Sequence, residues 1–285
     1  MDRRPGGGRL RQSLPRPAQR QRTIGVSLNY RLGAFGFLGL PALTEEGGES
    51  GNYGFMDQQA ALRWVQRNIA AFGGNPGEVT IDGESAGGWS VCGHLVSPGS
   101  RGLFARAVIQ SGSCRSGPQD RAEAAGTAFA RQAGCDATAQ AAVLDCLRSA
   151  SAGTLLDASR TFSAGFVDGT PTFPTGPREA LGSGRVTRVP VVVGANRDEG
   201  RTYAYQFDHR TGPGLTQIPG YVWGAFTKTG RPAAAGQMVW PGYHSGKGLM
   251  LSLRAGGRSA LIDDDGYSTE HQCAFWDTMP GTQHS

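Results

Sequence analysis

The sequence predicts an α/β fold: a mostly parallel sheet with helices on both faces. Three observations carry that reading. Short β-rich runs alternate with helix-periodic stretches, and a glycine-flanked serine turn joins one such run to the next helix. No apolar run approaches the roughly 20 residues of a membrane span, so nothing in the pattern competes for a bilayer. The 285 residues suffice for one sizeable core, and 45 glycines with 38% hydrophobic positions suit a loop-rich globular protein rather than a fibrous or disordered one.

The organisation expected is a disordered basic tail over residues 1–22 and a single domain over 23–285. The tail, MDRRPGGGRLRQSLPRPAQRQR, holds seven arginines against one acid and almost nothing apolar to bury. It therefore carries +6 of a net charge of +5, which leaves the rest of the chain at −1. A basic tail on a neutral body argues against a nucleic-acid face. Arg3-Arg4 is not followed by a hydrophobic stretch, so the sequence as written shows no export signal and a cytoplasmic placement stays open.

From Thr23 the elements follow in order. TIGVSLNY (23–30) is β-rich, and GAFGFLGL follows with glycine punctuation. Phe55, Gln59, Leu62, Val65, Ile69 and Phe72 recur at spacings of three and four, which predicts one face of a helix stopped by Gly73-Gly74. EVTIDG (78–83) reads as a buried strand, SAGGWSVCGHLVS as a helix, and ARAVIQSG (105–112) as another strand. Helices are expected near 120–134 and 138–148, loops from about 150 to 187, and a strand in RVPVVVGAN (188–196).

GESAGG (83–88) falls between strand and helix, the context that a G-x-S-x-G nucleophile elbow requires. The spacing has a chemical reason. A nucleophilic serine must stand on a sharp, strained turn so that its Oγ projects from the end of the sheet, and small neighbours make room for the crowded backbone. On this reading Ser85 is the nucleophile and the backbone N–H of Ala86 donates to a developing oxyanion. The motif alone says serine hydrolase and no more; the competing reading is a structural turn.

The surrounding residues narrow it. VSLNYRLGAFGFL (26–38), GNYGFMDQQAALRWVQRNIAAFGGNPGEVTIDGESAGG (51–88) and SPGSRGLFARAVIQSGS (97–113) resemble the type-B carboxylesterases, the family of cholinesterases and bacterial para-nitrobenzyl-type esterases. The resemblance implies an α/β-hydrolase fold, no cofactor, no metal, and a small-molecule carboxylic ester as substrate. It also implies a Ser–His–Glu triad working through an acyl-enzyme, and an exported ancestor. VPVVVGANRDEGRTY (189–203) looks like the family segment that supplies the triad acid, which places Glu199 there to orient the imidazole. The family commonly has a disulfide where Cys135 and Cys146 stand; two reduced, buried thiols are the alternative. Cys273 resembles a C-terminal family cysteine, and Cys92 and Cys114 read as packing residues.

The chain departs from the family pattern in three places, which implies a fold lacking its first strands and part of the C-terminal catalytic region. The family's catalytic-histidine segment is absent: FDHRTGPGLTQIPG (207–220) abuts YVWGAFTKTGRPAAAGQMVWPGY (221–243). DEGRTY runs straight into AYQFDHR, and the H-G-G-G oxyanion loop is replaced by the arginine-rich tail, with Gly6-Gly7-Gly8 as a poor remnant. The catalytic histidine is unknown. His94 occupies a family position that looks structural, His271 and His284 are C-terminal, and His209 and His244 are the stand-ins to weigh. Losing the base of such a unit costs on the order of 10⁶ in turnover in a well-studied serine protease. The alternatives to an ester hydrolase are therefore a catalytically silent cholinesterase-like domain or an inactive relic.

Overall fold

The computed structural model of the chain describes residues 23–196, 226, 229, 248–252 and 260–271. Short helices α1 (Gly33–Phe37) and α2 (Pro41–Gly47) lead into α3 (Tyr53–Asn68). The three-and-four spacing puts Phe55, Gln59, Leu62 and Val65 on one buried face, which Ile69 continues into a 3₁₀ turn, Ile69–Phe72. Gly73 then takes φ +82° and ends the run with the left-handed cap that the glycine pair predicts. Phe72 departs from expectation and is 64% exposed. The 3₁₀ turn winds at about 3.0 residues per turn instead of 3.6, which swings Phe72 off the buried face and beside Trp64, with ring centroids 6.0 Å apart.

Strand β1 (Thr80–Glu84), helix α4 (Ala86–Val96) and strand β2 (Arg106–Gln110) follow. After a two-residue strand β3 (Gly117–Pro118) come α5 (Gln119–Gln132) and α6 (Gln140–Ser149). The stretch expected as loops is partly regular: it holds α7 (Ala152–Ala158), a 3₁₀ turn at Ser159–Thr161, β4 (Val167–Asp168) and α8 (Pro177–Gly182). These pieces are too short for periodicity to register. Their caps mark them instead: Ser151 Oγ accepts from Thr154 N at 3.1 Å, and Pro177 opens α8.

Strand β5 (Val191–Gly194) joins β1 and β2 in an all-parallel sheet ordered β1-β2-β5. The register aligns Glu84 with Gln110 and Gln110 with Gly194, so three strands end together at one edge. Central β2 is buried on both sides, as its uninterrupted apolar run requires. Ala107 and Ile109 face Phe55, Leu95, Phe166 and Phe173, whereas Val108 faces the other way onto Val192 and Phe226. Further along, β6 (Met250–Ser252) pairs antiparallel with β7 (Ala260–Ile262), and α9 (Asp264–His271) follows. TIGVSLNY, expected as a strand, belongs to no ladder among the described residues, and Ile24, Val26 and Leu28 are exposed. β-propensity is local, whereas a strand needs a partner edge.

Two disulfides stand in the structure. Cys135–Cys146, with Cα atoms 5.6 Å apart, ties the end of α5 to α6 in a second core around Phe129, Val143, Leu144 and Leu147. It closes a short loop, so replacing both cysteines with serine is expected to cost somewhat less than about 3 kcal/mol in a denaturant titration. The reading of Cys92 and Cys114 as packing residues is corrected: they are bonded to each other, Cα to Cα 5.6 Å, across 22 residues of sequence. Cys92 nonetheless sits fully buried in the main core, which is why it resembled packing material.

Candidate active site

Ser85 lies between the last residue of β1 and the first of α4, with φ 54° and ψ −117°. A non-glycine residue in that region stores on the order of 1–3 kcal/mol of strain and persists only where its surroundings over-determine it. They do so here. Ser85 N donates to Gln110 O at 2.9 Å across the sheet end, and Trp89 N donates to Ser85 O at 2.9 Å as the helix begins. The side chain is not buried; Ser85 is exposed at the edge where the parallel strands terminate.

The glycines make the turn possible by having no Cβ. A Cβ on Gly83 would run into the Gly87 carbonyl, and one on Gly88 would lie 2.9 Å from Gln110 O and 3.0 Å from Gly112 Cα. Gly83→Ala therefore forces backbone apart in a packed layer. The expected loss is about 1–3 kcal/mol, read as a lowered denaturant midpoint. Ala86 holds the first helical position, whose N–H has no acceptor within the helix and lies at the positive end of the α4 dipole.

A second serine shares this edge and was not singled out from sequence. Ser111 has φ 49°, one of two non-glycine residues with positive φ among those described, and its N donates to Gly194 O at 2.7 Å. The motif QSGS just past a strand was the available signal, since it repeats the pattern of a serine following a β-run. Backbone strain at two serines on one sheet edge is the kind of concentration found at functional sites.

His94 is the one histidine whose surroundings are described, and it is built into the core. Its Nδ1 lies 2.9 Å from Ser100 Oγ, its Nε2 lies 3.1 Å from Gln58 Oε1, and its ring stacks on Phe55 with centroids 4.4 Å apart. Gln58 Nε2 donates on to Ser90 Oγ, and Gln59 Nε2 donates to both Ser97 and Ser100. Burial pushes the imidazole down to about 3, so it stays neutral with both nitrogens engaged. Such a ring cannot shuttle protons for Ser85. Glu199, His209, His244 and His284 lie outside the described residues, as do Gly6-Gly7-Gly8 and Cys273; His271 ends α9, with its side chain also outside them. Strand β5 brings the chain to the same edge as Ser85 two residues before the description stops at Asn196.

A parallel sheet, a strained serine between strand and helix, and glycines packed behind it define a fold as well as a site. The carboxylesterase family model matches residues 16–218. The chain belongs to the carboxylesterase family. Within that family it is similar to acylcarnitine hydrolase of Mus musculus, 44% identical over 178 residues, which are 61% of this chain and 31% of the relative. It is 38% identical over 184 residues to para-nitrobenzyl esterase of Bacillus subtilis (strain 168), covering 62% of this chain and 37% of that one. The chain thus spans about a third of the length of these curated relatives. A solved carboxylesterase from Geobacillus stearothermophilus superposes with a TM-score of 0.76 at 24% identity, over 90% of this chain and 76% of its own. The fold is that of the α/β-hydrolases. No helix among the described residues is long and apolar enough to cross a membrane.

Proposed function

We propose that this carboxylesterase-family chain hydrolyses small-molecule carboxylic esters through Ser85. The observation that carries the reading is the positive-φ backbone of Ser85 at an exposed strand–helix junction, the strained turn on which a nucleophilic serine stands. In this mechanism Ser85 Oγ attacks the ester carbonyl carbon, and the N–H of Ala86 stabilises the oxygen as it becomes anionic. The alcohol leaves, water attacks the acyl-enzyme, and the acid is released. Glu199 orients the base and stabilises its cation. His94 does not supply the base, because both of its ring nitrogens are committed to the core, and His209 and His244 are the stand-ins for it.

A fluorophosphonate probe with a short-chain nitrophenyl ester tests this directly. Labelling on Ser85 together with turnover is expected. An unlabelled protein that still melts cooperatively would instead be a catalytically silent domain. Alanine substitution at each of the four remaining histidines assigns the base: the variant that lacks it loses turnover and keeps its melting temperature. Two disulfides further support a working environment that is oxidising.

A further inference from the structure

The last residue of β2 and the segment that follows it hold the elbow from behind at four points. Gln110 O accepts from Ser85 N at 2.9 Å. Gly112 packs so closely on Gly88 that a Cβ there would lie 2.7 Å from Gly88 Cα. Cys114 is bonded to Cys92 on α4. Arg115 O accepts from Trp89 Nε1 at 2.5 Å, and its guanidinium lies over the Trp89 ring, 5.9 Å from the centroid. Three of these contacts are non-covalent and involve either backbone or an exposed arginine. The disulfide is the covalent one, and it joins the fully buried wall of α4 to a partly buried residue of the loop.

We propose that the Cys92–Cys114 disulfide is a redox-dependent positioning clamp for Ser85; the proposal rests on the reading of Ser85 as the nucleophile. With the bond formed, the 110–115 segment is fixed against α4 and the strained turn at Ser85 is held. A dithiol reductant opens it by exchange. Its thiolate attacks Cys114 Sγ, since Cys114 is the less buried residue of the pair, and forms a mixed disulfide while Cys92 leaves as a thiolate and takes a proton. The second thiol of the reductant then closes its own disulfide and releases Cys114 as a thiol, so two electrons and two protons pass to the protein. Without the bond the segment lifts from Gly88, and Ser85 relaxes from the geometry in which Oγ is presented. Cys92 and Cys114 are positioning residues, since neither touches the reacting atoms.

Amide hydrogen exchange over residues 83–90 and fluorophosphonate labelling kinetics, both on the full chain, test the clamp. Oxidised protein is compared with protein treated with dithiothreitol, with a C92S/C114S variant, and with a C135S/C146S variant as control. Reduction and C92S/C114S are expected to speed exchange in 83–90 by about ten-fold or more. They are also expected to lower the maximal labelling rate at an unchanged half-saturating probe concentration, while C135S/C146S leaves labelling unaltered and speeds exchange in 83–90 no more than in the rest of the core. Should C92S/C114S fail to fold, reduction of the oxidised wild-type chain supplies the same comparison. Exchange in 83–90 that ignores reduction would overturn the clamp. An equal response in C135S/C146S would also overturn it, because the effect would then be general loosening. If exchange responds but the oxidised protein never labels, the clamp on the turn stands and the nucleophile reading falls.

Discussion

Ser85→Gly is expected to remove every trace of fluorophosphonate labelling and yet make the protein more stable, by about 1 kcal/mol or more. The two effects share one cause. Ser85 is held at φ 54°, where a Cβ is strained and glycine is not. Glycine keeps the two backbone hydrogen bonds of the elbow, Ser85 N to Gln110 O and Trp89 N to Ser85 O, so the turn survives the change. A denaturant titration gives the stability, and mass spectrometry of the probe adduct gives the labelling. Ser85→Ala separates the contributions, because it removes the hydroxyl and retains the strain. It should abolish labelling with little change in stability. If Ser85→Gly destabilised the protein, the turn would not be storing strain, and its backbone would no longer mark a functional serine.

The second large effect lies in the core and depends on pH. His94 is neutral when folded, with its titration pushed down to about 3, and has its ordinary value near 6.5 when unfolded. The stability associated with the neutral ring is complete above pH 6.5. As pH falls below 6.5 the unfolded chain takes up a proton that the folded one refuses, so stability is lost progressively down to about pH 3. At 1.36 kcal/mol per unit, the loss between pH 6.5 and 5 is about 2 kcal/mol from this group, before most carboxylates begin to titrate. Denaturant midpoints measured across that window should fall steeply for the wild-type chain and much less for His94→Gln, which cannot take the proton. His94→Leu is expected to be worse than either at neutral pH. It strips Gln58 Oε1 and Ser100 Oγ of the ring nitrogens they bond, at about 1–3 kcal/mol for each bond left unmade.

The site and its supports were legible in the sequence to different degrees, and the division follows the range of the interactions. The place of Ser85 between β1 and α4 was readable because a strand, a tight turn and a helix are local events, each written in adjacent residues. The buried face of α3 was readable for the same reason, until the switch to a 3₁₀ turn moved Phe72 outward. The Cys92–Cys114 bond was not readable. It joins two residues 22 apart whose proximity is created by packing α4 on β2, and a cysteine deep in a core offers no separate sign of being paired. Ser111 escaped because positive φ at a non-glycine residue is imposed by neighbours rather than by its own type. TIGVSLNY was misjudged through propensity without a partner, and the segment 150–187 through elements shorter than any period. The assignment of Glu199 as the triad acid rests on family resemblance alone, and the residue lies outside those described.

The central claim is that an exposed, strained serine in this scaffold accepts an acyl group. Intact-mass measurement and peptide mapping after brief exposure of the oxidised chain to p-nitrophenyl acetate, quenched in acid, reads that event itself. One acetyl group per chain, located on Ser85 and released again when the quench is delayed, is the predicted result. Acetylation only at amines (Lys228, Lys247 or the N-terminus), at the level seen with Ser85→Ala in a chain that unfolds cooperatively, would contradict it.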